Sequence, residues 1–184
     1  MSLKEFKYEN KLSKRSKVSR LIWNIVYVVL FRPTPRWAFS KWRVFLLRLF
    51  GAKIGDGCSI SPTCKIWAPW NLEIGSLVCF ADDVDCYCVD KITIGSKVTI
   101  SQRSFICTGS HEIETLHRKL IHHPVSIADH VWVCAEVFIG PGTNIGEGAV
   151  VAARSVVVHN VEDWNVVAGN PAKTVRKRVI NSGN

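Results

Sequence analysis

From residue 54 onward, apolar positions recur every six residues. An aliphatic or small apolar residue opens each hexad, a small residue often follows, and a small or β-branched residue stands four places on. Hexads open at 54, 60 and 66, at 74, 80 and 86, at 94, 100 and 106, at 127, 133 and 139, and at 145, 151 and 157. Set three to a coil, the opening residues fall into columns. The first column is Ile54, Ile74, Ile94, Ile127 and Ile145; the second is Ile60, Phe80, Ile100, Val133 and Val151; the third is Ile66, Cys86, Ile106, Ile139 and Val157. No charged residue enters any column. An amphipathic helix would repeat near every 3.6 residues and an ordinary strand would alternate, so neither fits. Three continuous apolar columns predict a parallel β-helix. Each short strand buries its first residue and pairs with the coils above and below, at about 4.8 Å. The residue after the first column is Gly55, Gly75, Gly95, Ala128 or Gly146, as a recurring tight corner requires.

Breaks in the beat carry as much information. Two residues are inserted after the first coil and two after the second, and about fifteen after the third. The long insertion spans roughly 112–126 and follows directly on "SFICTGSH" (104–111). It predicts a loop protruding from a rigid scaffold, with His111 at its root, where function tends to sit. On local grounds His111 could be a loop residue, a metal ligand or a base. The stretch "VVAGNPAKTVRKRV" (166–179) holds a Gly-Asn-Pro turn and a basic segment with helical spacing. It predicts a short helix closing the prism. The expected organisation is a helical arm over 1–53, the β-helix over 54–165, and a C-terminal turn and basic helix over 166–184.

Charge is concentrated at one end. Residues 1–53 hold thirteen Lys/Arg against two Asp/Glu, whereas residues 54–184 hold eleven against thirteen. The arm also carries "LIWNIVYVVLF" (21–31), eleven residues with a single polar member, too short to span a bilayer alone. No A-x-A-like cleavage site follows, so a secretory signal is not expected. Nucleic acid is not the expected partner, because aromatic and apolar residues dominate the arm. Two roles remain open for it: an amphipathic cap on the prism, or an interfacial helix on an anionic membrane. The seven cysteines are odd in number, lack paired zinc-ribbon spacing and mostly stand in for small apolar residues of the repeat. They read as reduced thiols in a cytosolic protein.

The hexads "IGPGTN" and "IGEGAV", the "TGSH" before the loop, the "VW" of the next coil and "VVAGNPAK" at the end resemble the hexapeptide-repeat acyltransferases. "LFRPTPR" (30–36), "LLRLFGAKIG" (46–55), "IWAPWNLEIG" (66–75) and "SQRSFICTGSH" (101–111) resemble the colanic-acid biosynthesis acetyltransferase group. That group is related to the galactoside, maltose and nodulation acetyltransferases. The resemblance covers nearly the whole chain from about residue 20. It implies a left-handed β-helix, an exception to right-handed crossovers, and a homotrimer with active sites between subunits. The implied activity is acetyl-CoA-dependent O-acetylation of a sugar hydroxyl in exopolysaccharide synthesis. The acceptor would be a sugar or lipid-linked glycan, at the cytoplasmic face of the inner membrane.

The same resemblance assigns roles. His111 matches the catalytic base, and imidazole suits a reaction in which a poor nucleophile must lose a proton that the leaving thiolate regains. Asp82 and Asp90 match acceptor-binding positions, Asp82 standing where the galactoside and maltose enzymes carry Asn. Arg103 is placed in the acceptor cleft. Trp132, Ala135 and Ala153 match positions beside the pantetheine arm of acetyl-CoA, and Lys173 and Arg176 match basic positions that meet its phosphates. The relatives' Thr-Lys near the last coil is Val158-His159 here. His117, His122 and His123 are expected to be solvated loop histidines, with no metal bound. Two alternatives are a γ-class carbonic-anhydrase-like zinc protein, which uses the same prism, and a non-catalytic trimeric scaffold.

Overall fold

The computed structural model describes residues 13–180. The first twelve residues of the arm and the last four of the C-terminal segment lie outside them. The three columns become the three faces of a prism. The first face is β1 (Lys53–Ile54), β4 (Leu72–Ile74), β7 (Ile92–Ile94), β12 (Val125–Ile127) and β15 (Asn144–Ile145), all parallel. The second is β2 (Ser59–Ile60), β5 (Cys79–Phe80), β8 (Thr99–Ile100), β13 (Trp132–Val133) and β16 (Val150–Val151), again parallel. The third is β3 (Lys65–Ile66), β6 (Asp85–Tyr87), β9 (Phe105–Cys107), β14 (Phe138–Ile139) and β17 (Val156–Val157).

Register follows the columns residue for residue: Ile54 faces Ile74, Ile60 faces Phe80, Ile66 faces Cys86, and so up the prism. Every column residue is buried. The corner glycines are explained by coil stacking. A Cβ on Gly75 would lie 2.7 Å from the carbonyl carbon of Gly95 and 2.8 Å from the backbone nitrogen of Ser96, closer than any side chain tolerates.

The arm forms α1 (Lys14–Val26), a π-helical turn (Tyr27–Phe31) and α2 (Ser40–Leu49). Its inward side chains close the bottom of the prism, where the first coil has carbonyls with no coil beneath them. Arg48 Nε donates to Ile54 O (3.0 Å), Arg43 Nε to Ile60 O (2.6 Å) and Trp23 Nε1 to Ile66 O (2.7 Å), one side chain for each face. Arg43 is fully buried and donates as well to the carbonyls of Pro35, Ala38 and Arg36. Side chains thus take the place of a missing coil and block an open sheet edge. Of the two roles left open for the arm, packing on the prism as a cap is present among the described residues.

The C-terminal segment corrects the expectation of a helix. β18 (Asn165–Gly169) extends the second face, with Val167 opposite Val151. The chain turns at Asn170-Pro171 and returns antiparallel as β19 (Ala172–Lys177). The unpaired edge of β18 offers hydrogen bonds that a helix could not use, and Thr174 and Val175 are β-branched.

All seven cysteines are free thiols, and Cys64, Cys86 and Cys88 are buried between faces. Burial pushes the Cys64 thiol up to about 12 and the Cys88 thiol up to about 11, and raises that of Cys86 as well. Thiols whose titration is raised by folding stabilise the fold fully below the ordinary thiol range, about 8.5, and that contribution is lost as pH climbs toward 11 to 12. In native protein at neutral pH, iodoacetamide is expected to label exposed Cys79 and to spare Cys64, Cys86 and Cys88 until denaturant is added. Peptide mass spectrometry reads the order.

Candidate active site

At the end of the third coil, β9 runs into a hairpin rather than a corner. β10 (Gly109–His111) pairs antiparallel with β11 (Leu120–His122), Gly109 opposite His122 and His111 opposite Leu120. The hairpin base is closed by His123 N–H donating to Thr108 O (2.9 Å). The protrusion thus begins at Gly109, before the expected 112, and His111 stands on its outgoing strand rather than at its root.

The "TGSH" motif has a physical reading. Thr108 is buried; its Oγ1 donates to Tyr87 O (2.9 Å) and accepts from Asp90 N–H (2.9 Å). One hydroxyl thereby fixes the hairpin root to the turn that carries Asp90. Gly109 packs on an aromatic ring, and a Cβ there would lie 3.0 Å from Tyr87 Cε1.

His111 is exposed, and its Nδ1 lies 2.6 Å from Arg118 O across the hairpin. A carbonyl oxygen only accepts, so Nδ1 is the donor, and in the neutral ring Nε2 is the nitrogen with the lone pair. Cross-strand partners and residues two apart share a hairpin face, so His111 and His122 project to the same side. His122 Nδ1 lies 2.7 Å from Asp90 Oδ2. Partial burial pushes the Asp90 carboxyl up, but hydrogen bonds from His122 and the Lys91 N–H outweigh it and hold the group below its ordinary range. His111, His122 and Asp90 therefore group at the corner between the third and first faces. His122, expected to be a solvated loop histidine, is exposed and is in addition a partner of Asp90.

The other candidates lie elsewhere on the prism. Asp82, Arg103, Ala135 and Ala153 all occupy the corner between the second and third faces, stacked by bonds such as Arg103 N–H to Asp82 O (2.9 Å) and Arg154 N–H to Ala135 O (2.9 Å). The Asp82 carboxylate accepts from Arg36 of the arm (2.6 Å) and from the Ser61 hydroxyl. Arg103 pairs with Glu136 (2.7 Å), which Arg154 also meets (2.6 Å). Trp132 lies half exposed on the second face, its Nε1 donating to Ser101 Oγ (3.1 Å). Lys173 and Arg176 stand exposed on β19, at the top of that same face. One chain therefore places His111 and Asp90 at one edge of the prism and, along a different edge and its adjoining face, Asp82 with Arg103 and the expected acetyl-CoA residues. It does not unite the two groups. Among the described residues no set of three or more His, Cys, Asp or Glu is arranged to hold a metal ion.

Reasoning from sequence missed Thr108, His122 and Arg36. Thr108 was signalled by its place in "TGSH" and Arg36 by its place in "LFRPTPR". Nothing local signals His122, whose partner is 32 positions away.

No family model matches the chain. It is 42% identical over 158 residues to the candidate colanic acid biosynthesis acetyltransferase WcaF of Escherichia coli, covering 86% of each protein. Its structure resembles the hexapeptide-repeat acetyltransferase VCA0836 of Vibrio cholerae, with a TM-score of 0.83 and 26% identity over 91% of this chain and 95% of that one. It also resembles a maltose O-acetyltransferase of Clostridium difficile, with a TM-score of 0.79 and 27% identity over 91% and 90% of the two chains. The chain belongs to the hexapeptide-repeat acetyltransferase family, and its prism is that family's left-handed parallel β-helix.

Proposed function

We propose that this acetyltransferase uses acetyl-CoA to esterify a sugar hydroxyl of a lipid-linked glycan at the cytoplasmic face of a membrane, in exopolysaccharide assembly. The observation that carries the chemistry is the Nδ1 bond of His111 to Arg118 O, which in the neutral ring makes Nε2 the basic nitrogen. The likeness to a colanic acid biosynthesis acetyltransferase and to a maltose O-acetyltransferase supports a sugar acceptor.

His111 Nε2 takes the proton from the acceptor hydroxyl as that oxygen attacks the thioester carbonyl, and returns it to the departing sulfur. Acetyl-CoA, when bound, supplies the activated acetyl group. Trp132 offers an apolar wall, Ala135 and Ala153 leave room for a thin chain to run close to the backbone, and Lys173 and Arg176 offer charge to phosphates. Asp90 holds acceptor hydroxyls beside His111; its carboxylate accepts hydrogen bonds and is kept ionised by His122. Asp82 and Arg103 offer acceptor contacts from the other edge.

The separation of these groups on one prism supports a site shared between copies, the edge with His111 lying against the neighbour's edge with Ala135 and Ala153. Three such head-to-tail contacts, closed in a ring, make the trimer that the family resemblance implies. His111→Ala and Ala153→Trp chains, each inactive alone, are then expected to regain part of the acetyl transfer when refolded together. A mixture that stays inactive would place the whole site within one chain and remove this arrangement.

A further inference from the structure

α1 and the turn after it are apolar on two sides. Trp23 and Phe31 face the prism and are buried. On the outside, Val18, Leu21, Ile22, Ile25, Val28 and Val29 form a stripe at helical spacing, each about half exposed or more. Trp42 donates its Nε1 proton to Leu30 O (3.0 Å) and stacks on exposed Phe45, carrying the stripe onto α2. A helix packed on a soluble body ordinarily turns polar residues outward, and a contiguous exposed apolar patch marks a contact surface.

Charge selects the contact. From residue 10 to residue 55 the chain has no Asp or Glu. The inward guanidinium groups of Arg43 and Arg48 are taken up by strand carbonyls. Lys14, Arg15, Lys17, Arg32 and Lys41 are exposed and have no carboxylate partner among the described residues. Three of them sit in the first turns of α1 and Arg32 directly follows the π-helical turn, so cations stand at both ends of the stripe. An apolar band bracketed by free cations, with an indole beside it, matches the boundary of an anionic bilayer, where acyl chains meet negative headgroups. A protein partner would call for acidic and apolar surface together.

We propose that this outer face of the arm docks the protein on anionic phospholipid, with α1 lying in the interface. The contact proposed is peripheral; among the described residues no helix is long and apolar enough to cross a membrane. The same element then has two jobs: Trp23, Arg43 and Arg48 cap the prism, and the stripe holds it at the lipid surface. The inference deepens the lipid-linked acceptor proposed above, because it brings the enzyme to the surface where such a glycan lies.

The test is co-sedimentation of the full chain with vesicles of phosphatidylethanolamine and phosphatidylglycerol, and with phosphatidylcholine alone. The comparison is a Leu21→Ser, Ile25→Ser, Val29→Ser variant, whose changes are all at exposed sites. The wild type is expected to sediment with anionic vesicles and poorly with neutral ones, and the variant to bind more than about ten-fold more weakly. Wild type that stays in the supernatant, equal sedimentation of the variant, or a change in the variant confined to self-association would each overturn the proposal, the last by making the face a contact between copies. Acetyl transfer to a water-soluble sugar without vesicles separates the two readings: it should be unaffected in the variant, and its absence from wild type that still binds vesicles would remove the enzymatic reading alone.

Discussion

A His111→Ala chain is expected to lose acceptor-dependent acetyl transfer by about 10²- to 10⁴-fold, the usual contribution of a general base. Its affinity for acetyl-CoA should stay near that of wild type, because the residues expected to hold the cosubstrate lie on another edge of the prism. His111→Asn sharpens the test. An asparagine amide can still donate across the hairpin toward Arg118 O but offers no basic nitrogen, so it should be as inactive as alanine. Full activity in the asparagine chain would mean that His111 orders the hairpin and nothing more. Initial rates of CoA release, with acetyl-CoA binding measured by calorimetry, read both quantities.

The largest expected effect on stability belongs to Trp23→Ala. The indole is buried, donates to Ile66 O and packs on Phe31 and Phe50 at centroid distances of 5.9 and 5.1 Å. Truncation leaves a cavity between arm and prism and strips the third face of its cap, at a cost of about 3–5 kcal/mol. Trp23→Phe keeps most of the packing but orphans the Ile66 carbonyl, and should cost about 1–3 kcal/mol. Denaturant unfolding of the two variants gives the order. An unchanged midpoint for Trp23→Ala would mean that the arm does not unfold with the prism.

The prism could be read from sequence because its repeat is strictly local. Ile74 is apolar and Gly75 small for reasons set by the coil geometry, and the same reasons recur in every coil. The ends were harder. Lys173, Arg176 and Lys177 have helical spacing, but the open edge of β18 decides their conformation, and that edge exists only once the prism has formed. The arm's cations were visible as charge, yet Arg43 and Arg48 point inward to strand carbonyls while Lys14, Arg15 and Lys17 point out. Composition does not distinguish them; the direction of each side chain on its helix does. His111 was legible through "TGSH". Its proton placement was not, because Arg118 O is brought to it by the hairpin. The pairing of His122 with Asp90 likewise depends on Thr108 tying the hairpin root to a turn one coil below. Asp82 and Arg103 were singled out beside Asp90, but they stand on another edge, because a three-sided coil puts nearby stretches of sequence on different corners.

The central claim is acyl transfer, and the direct measurement is release of free CoA thiol from acetyl-CoA by the wild-type chain against a panel of free sugars and lipid-linked glycans, with the acetylated product followed by mass spectrometry. The account predicts release that depends on acceptor and matches ester formation mole for mole, lost in His111→Ala. Release without any ester, or acetyl-CoA left intact with every acceptor in the panel, would contradict it.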